Sequence, residues 1–189
     1  MIQAPLYHLR RRMMKTPVKH ILSPGEIAAG VARLAGEIRG DYRDRLPLLV
    51  CVLNASFMFT ADLARALDMP LEIDFIGAAS YDSGTTSSGA PRITRDLKTE
   101  VAGRHVILIE AVVDTGTTLT ALTAHLVKQK PATVKVCALV NKQSGRKRDV
   151  AVDYAAFNLG SEFIVGYGLD YDGHYRNLPG IYLFDPEGE

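Results

Sequence analysis

The stretch His105-Val-Ile-Leu-Ile-Glu-Ala-Val-Val-Asp-Thr-Gly-Thr-Thr-Leu-Thr120 constrains the fold more than any other, because it changes character in its middle. Residues 106–109 are a short, β-branched apolar run, the composition of a strand buried on both faces of a parallel sheet. Acids appear at its carboxyl end, where Glu110 and Asp114 bracket three apolar residues. Thr115-Gly116-Thr117-Thr118 then leads into a helical pattern over residues 119–130. The run predicts a buried strand, a tight turn and a helix start.

Such a junction has definite chemistry. A helix amino terminus offers unpaired N–H groups and partial positive charge, and Gly116 allows a ligand close approach to the backbone. Threonine hydroxyls add donors for the same oxyanion. Two carboxylates beside it would repel a phosphate unless they face ribose hydroxyls, a cation or a protonated base. The combination suggests a phosphorylated sugar held with Mg²⁺. In an open α/β sheet a ligand sits at the carboxyl ends of the strands, which is where this turn falls. Taken alone, Asp114-Thr115-Gly116 reads first as an ordinary turn whose threonines cap a helix.

At 189 residues the chain is read as one domain, 18–189, preceded by a basic arm, 1–17. A globule of this size buries roughly 70% of its unfolded surface and needs no staples. The 22 basic and 21 acidic residues nearly cancel, so nothing in the charge demands nucleic acid. No apolar run approaches the roughly 18 residues of a membrane helix. Both cysteines, Cys51 and Cys137, sit inside apolar strand-like runs, as core thiols of a reducing cytoplasm do. A disulfide between them would require the two strands to be neighbours.

Ser23-Pro24-Gly25-Glu26 carries three helix-start cues: a hydroxyl N-cap, a proline in the first turn and an acid three residues after the cap. Ile27, Val31, Leu34, Ala35 and Ile38 then give one apolar face to about Arg39. Strands are expected over 48–53, 71–81, 92–99, 133–140 and 151–157, with a further helix over 57–67. Residues 81–91 are the most turn-rich segment, a composition shared by active-site lids and hairpin tips.

Several of these segments, in order, carry a resemblance. Glu110-Ala111-Val112-Val113-Asp114-Thr115-Gly116-Thr117-Thr118 resembles the phosphoribosyl pyrophosphate (PRPP) signature of the type I phosphoribosyltransferases. That signature has two adjacent acids where this chain has Glu110 and Ala111. Asn54-Ala55-Ser56 before Phe57-Met58-Phe59 resembles the pyrophosphate loop of the hypoxanthine-guanine members, with Ala55 replacing a glycine. Residues 161–179, with Phe163-Ile164-Val165-Gly166-Tyr167-Gly168-Leu169-Asp170-Tyr171 and Tyr175-Arg176-Asn177-Leu178-Pro179, match that group almost position by position.

The resemblance implies an α/β type I phosphoribosyltransferase fold: a central, mainly parallel sheet flanked by helices, with a small hood from the chain ends. It further implies that Asp114 accepts or stabilises the purine N7 proton. Glu110 would meet ribose hydroxyls and, with Asp170, Mg²⁺; Thr115, Gly116, Thr117 and Thr118 would hold the sugar phosphate. Asn54, Ala55, Ser56 and Arg176 would contact pyrophosphate, and Ser80-Tyr81 would close over PRPP and keep water from the reacting ribose. Lys142 would read the purine's exocyclic oxygen, Phe163 would stack on the ring, the Ile164 carbonyl would face the 2-position, and Asp170 would bind metal-linked water or the base edge. The implied reaction joins PRPP and hypoxanthine or guanine in purine salvage, in a cytoplasmic homodimer or homotetramer. The alanines at 111 and 55 leave a second class open, a PRPP- or nucleotide-binding regulator of weak catalytic power.

Overall fold

The computed structural model describes residues 19–79, 91–142, 144 and 147–185. The arm over 1–17 and the turn-rich segment, apart from Pro91, lie outside the described residues. The described chain runs β1 (Lys19–Leu22), α1 (Pro24–Asp41), β2 (Leu48–Leu53), α2 (Phe57–Leu67), β3 (Glu72–Ala79), β4 (Arg92–Arg95) and β5 (His105–Val113). It continues through α3 (Thr117–Val127), β6 (Thr133–Lys142), β7 (Tyr154–Leu159), β8 (Ile164–Val165) and β9 (Ile181–Leu183).

Six strands form the large sheet in the order β4-β3-β2-β5-β6-β7. All its neighbours are parallel except β4, which runs antiparallel along one edge. The chain leaves β2 toward β3 on one side and returns to β5 on the other. The crevice between the carboxyl ends of β2 and β5 is therefore the switch point at which open α/β sheets bind ligands. A second, three-stranded sheet, β1-β9-β8, joins the two ends of the described chain into the expected hood.

The sheet is buried on both faces, as its apolar runs require. α1 and α2 pack with Leu49, Ile107, Ile109 and Leu139 on one side, while α3 packs with Leu48, Val50, Val106 and Leu108 on the other. The start of α1 follows its sequence cues: the Ser23 hydroxyl accepts from the Glu26 N–H at 3.1 Å, and the Glu26 carboxylate accepts from the Ser23 N–H at 2.7 Å. Gly30 lets that helix lie flush on β7, since a Cβ there would stand 2.5 Å from the Phe157 ring.

Several boundaries differ from the sequence reading, four of them for a visible reason. α3 ends at Val127 rather than 130, because Gln129 and Lys130 donate to the carbonyls three residues back and Lys130 takes a positive φ of 56°. α1 runs on to Asp41, two residues past the expected end. β7 starts at Tyr154 rather than 151, Asp153 being occupied with both backbone groups of Val136. β4 is only four residues long, because the chain beyond Arg95 turns to meet Asp74. Cys51 and Cys137 are free and buried; they share a register row but flank Ile109 on the intervening strand, so no disulfide can join them.

Asp74 is a buried carboxylate that accepts from the N–H groups of Phe75, Lys98 and Thr99, each at 2.7 Å. Burial pushes its pKa up, but these donors outweigh burial and hold it below the ordinary 3.8. The ionised form is thus the one the fold prefers. Its stabilisation is complete above pH 3.8 and is lost as pH falls through the depressed folded value. Urea titrations of wild type and Asp74→Asn should show a stability gap that is constant near neutrality and narrows below pH 3.8.

Candidate active site

Two loops meet at the switch point. The first, residues 54–56, ends β2 and starts α2; the Leu53–Asn54 peptide bond is cis. Ser56 is the N-cap of α2 but makes no side-chain cap. Its fully buried hydroxyl instead donates across the crevice to Glu110 Oε1 at 3.2 Å. The Ala111 N–H donates to the same oxygen at 2.9 Å. Desolvation outweighs these bonds and pushes the Glu110 carboxyl up to about 7.

The second loop, residues 114–116, ends β5 and opens α3. Gly116 is its N-cap in the left-handed region, φ 79°, a conformation that favours glycine. It brings no side chain to the first-turn N–H groups, an arrangement that an anion can complete. Glu110, Asp114, Thr115, Gly116 and Thr118 line one hollow of about 240 Å³, with the Asp114 residue exposed to solvent. Thr117 does not line it; its hydroxyl accepts from Thr115 Oγ1 at 3.2 Å. The Thr115 carbonyl is braced by the N–H groups of Lys147 and Arg148, both at 3.0 Å, contacts that sequence reading did not anticipate. Both residues of that basic pair are exposed.

The two alanines sit without strain. Ala111 is fully buried in the apolar cluster with α1 and α2, and it does not line the hollow. Both carboxylates that do line the hollow are present. Ala55 is not among the residues in the left-handed region, so a β-carbon there meets no backbone penalty.

Next to β5, the end of β6 meets the segment around β8. Lys142, only 5% exposed, donates from Nζ to the Glu162 carbonyl at 2.6 Å, which ties the large sheet to the segment bearing Phe163. Phe163 is 44% exposed, an aromatic face left open and steadied edge-on by Tyr171 at 5.8 Å between ring centroids. Ile164 is buried and pairs with Leu183. Asp170 pairs with Arg176 at 2.8 Å and accepts from the Gly173 N–H at 2.8 Å. Arg176 also donates to the Gly168 carbonyl at 2.7 Å. Ser80 and Tyr81 lie outside the described residues.

An anion hollow at a switch point, carboxylates at its rim and an exposed aromatic on the segment bonded to the neighbouring strand suit a phosphorylated sugar and a flat base. The family model of the phosphoribosyl transferase domain matches residues 17–172, and the chain belongs to that family. Among its relatives is the hypoxanthine-guanine phosphoribosyltransferase of Bacillus subtilis (strain 168), 41% identical over 92% of this chain and 97% of that one. The hypoxanthine-guanine-xanthine phosphoribosyltransferase of Tritrichomonas foetus is 41% identical over 89% of this chain and 92% of its own. A solved hypoxanthine-guanine phosphoribosyltransferase of Bacillus anthracis superposes with a TM-score of 0.86 at 35% identity, covering 90% of this chain and 100% of that one.

The Lys142 contact exists without any ligand, so its loss should register in the empty protein. Lys142→Met is expected to lower the unfolding free energy by about 1 kcal/mol, read from urea denaturation of the ligand-free chain.

Proposed function

We propose that this chain transfers the 5-phosphoribosyl group from PRPP to a 6-oxopurine, hypoxanthine or guanine, giving the nucleoside monophosphate and pyrophosphate in purine salvage. The observation that carries this reading is that the Glu110–Asp114 hollow ends β5 while Lys142, bonded to the segment bearing Phe163, ends the neighbouring strand β6. Thr115, Gly116 and Thr118 receive the sugar phosphate, and Thr117 holds Thr115 in place. Glu110 meets the ribose hydroxyls. Asn54, Ala55, Ser56 and Arg176 border the pyrophosphate, with Ser80 and Tyr81 closing over it.

Lys142 reads the exocyclic oxygen of the purine, Phe163 stacks on its ring and the Ile164 carbonyl faces the 2-position. Asp114 accepts the N7 proton as the glycosidic bond forms, a role that suits an exposed carboxylate at the mouth. Departure of pyrophosphate leaves a cationic ribose, which the fixed carboxylates stabilise.

The Glu110 carboxylate on the hollow fits Mg²⁺, a hard cation that takes one or two carboxylates beside substrate oxygens. Glu110 and Asp170 would hold it, and the desolvated Glu110 carboxyl is a group that a cation would return to its ionised form. When bound, the ion would neutralise charge building on the departing pyrophosphate. The regulator reading gains no support: both carboxylates of the hollow are retained and neither alanine disturbs it.

No helix among the described residues is long and apolar enough to cross a membrane, and a cytoplasmic location accords with the two free thiols. Phe57 and Ile73, each 41% exposed, leave apolar surface that suits a homodimer or homotetramer. A solved hypoxanthine phosphoribosyl transferase of Trypanosoma cruzi, 37% identical with a TM-score of 0.86, covers 93% of this chain and 95% of that one and was studied for the role of its C-terminal region in oligomeric state. Light scattering should give a mass above that of one chain, falling toward it in Ile73→Glu.

Incubation with PRPP, Mg²⁺ and, in turn, hypoxanthine, guanine, xanthine and uracil should yield monophosphate from the first two. Asp114→Asn should lower kcat by about 10²- to 10⁴-fold, the range of a lost general base. Unimpaired turnover in that variant would remove Asp114 from its assigned role.

A further inference from the structure

Between β8 and Arg176 the chain makes a compact turn, Gly166-Tyr167-Gly168, with all three residues at positive φ: 100°, 49° and 96°. Two independent contacts seat it against the other half of the crevice. The buried Tyr167 hydroxyl donates to Asp62 Oδ2 on α2 at 2.5 Å. Asp62 is itself paired with Arg65, one turn further along that helix. Gly168 lies flush on the pyrophosphate loop: a Cβ there would stand 2.1 Å from the Ala55 carbonyl oxygen, with no room for relief because the obstacle is backbone.

The turn is also braced from behind. The Tyr167 N–H donates to the Leu178 carbonyl at 2.8 Å, and Gly168 and Arg176 exchange bonds of 2.9 and 2.7 Å. Burial and the Asp62 carboxylate raise the Tyr167 phenol far above its ordinary value, so it remains a donor at any pH the protein meets. A buried phenol needs a hydrogen-bond partner, and this one finds it 105 residues away in sequence, on α2.

We propose that Tyr167 and Asp62 are positioning residues that latch the base-reading segment, residues 163–170, to the loop 54–56, so that the purine and pyrophosphate subsites are held in one register. This inference rests on the transferase reading for the identity of the subsites, but not for the latch. Neither residue lines the hollow of Glu110 and Asp114. α2 starts at the end of the pyrophosphate loop and carries Asp62 in its second turn, whereas Tyr167 follows Ile164 by three residues. The bond therefore links the two reading elements beside the direct Gly168–Ala55 contact. Gly168 sets their spacing and Tyr167 fixes their angle.

The test compares wild type with Tyr167→Phe, Asp62→Ala and Asp62→Asn, by steady-state kinetics, thermal melting and amide hydrogen exchange of the ligand-free chains. Tyr167→Phe keeps the ring and its packing. It is expected to raise KM for PRPP and for the purine together by about tenfold, on the order of one lost hydrogen bond to a charged acceptor. kcat should change much less. Asp62→Ala should do the same, and Asp62→Asn, which keeps an accepting oxygen, should recover most of the loss. Exchange should quicken at residues 54–57 and 166–169 with the rest of the chain unaltered. A fall in melting temperature with both KM values intact would make the bond merely structural and overturn the proposal, as would wild-type exchange at 54–57. If wild type itself turns over no purine, the transferase reading fails, and local exchange in Tyr167→Phe still decides the latch.

Discussion

One hydrogen bond spans the place where the sheet divides. β2 and β5 lie side by side in parallel, yet their continuations leave in opposite directions, and a gap opens above them that backbone bonding cannot close. Ser56 from one side and Glu110 from the other meet across it. Each gives up an ordinary option to do so, the serine its capping role and the glutamate its hydration. The position of both binding loops follows from that contact, because each loop is only a few residues from it.

The arrangement also explains how an alanine fits at 111. On β5 the residue after Glu110 faces the helices α1 and α2 rather than the hollow, and a small apolar side chain suits that packing. The electrostatic character of the crevice is set by Glu110 and Asp114. A count of acids along the strand suggests a deficit that the facing of the side chains removes.

What the sequence revealed divides by distance along the chain. The strand, turn and helix of residues 105–127 were legible because apolar, acidic and hydroxyl residues change over abruptly within one run. The start of α1 was legible because three local cues agree at Ser23. Boundaries set by remote partners were not: the short β4 answers to Asp74, and the delayed β7 answers to the bonds between Asp153 and Val136. The candidate site divides in the same way. Asp114 to Thr118 could be read from spacing and resemblance. The Tyr167–Asp62 bond could not, and its single local sign was a tyrosine set between two glycines. Lys142 is intermediate, for a lysine at a strand end is normally solvated, and only the fold shows it buried against a carbonyl.

The hood has a temporal meaning as well as a spatial one. β1, near the start of the described chain, has β9 as its partner, with Lys19 opposite Leu183, and β8 pairs with that same strand. A nascent chain can complete the six-stranded layer once residue 159 has emerged, while the hood waits for the last strand to be made. Local order along the chain thus lets the large sheet and its Glu110–Asp114 hollow form during synthesis before the hood does.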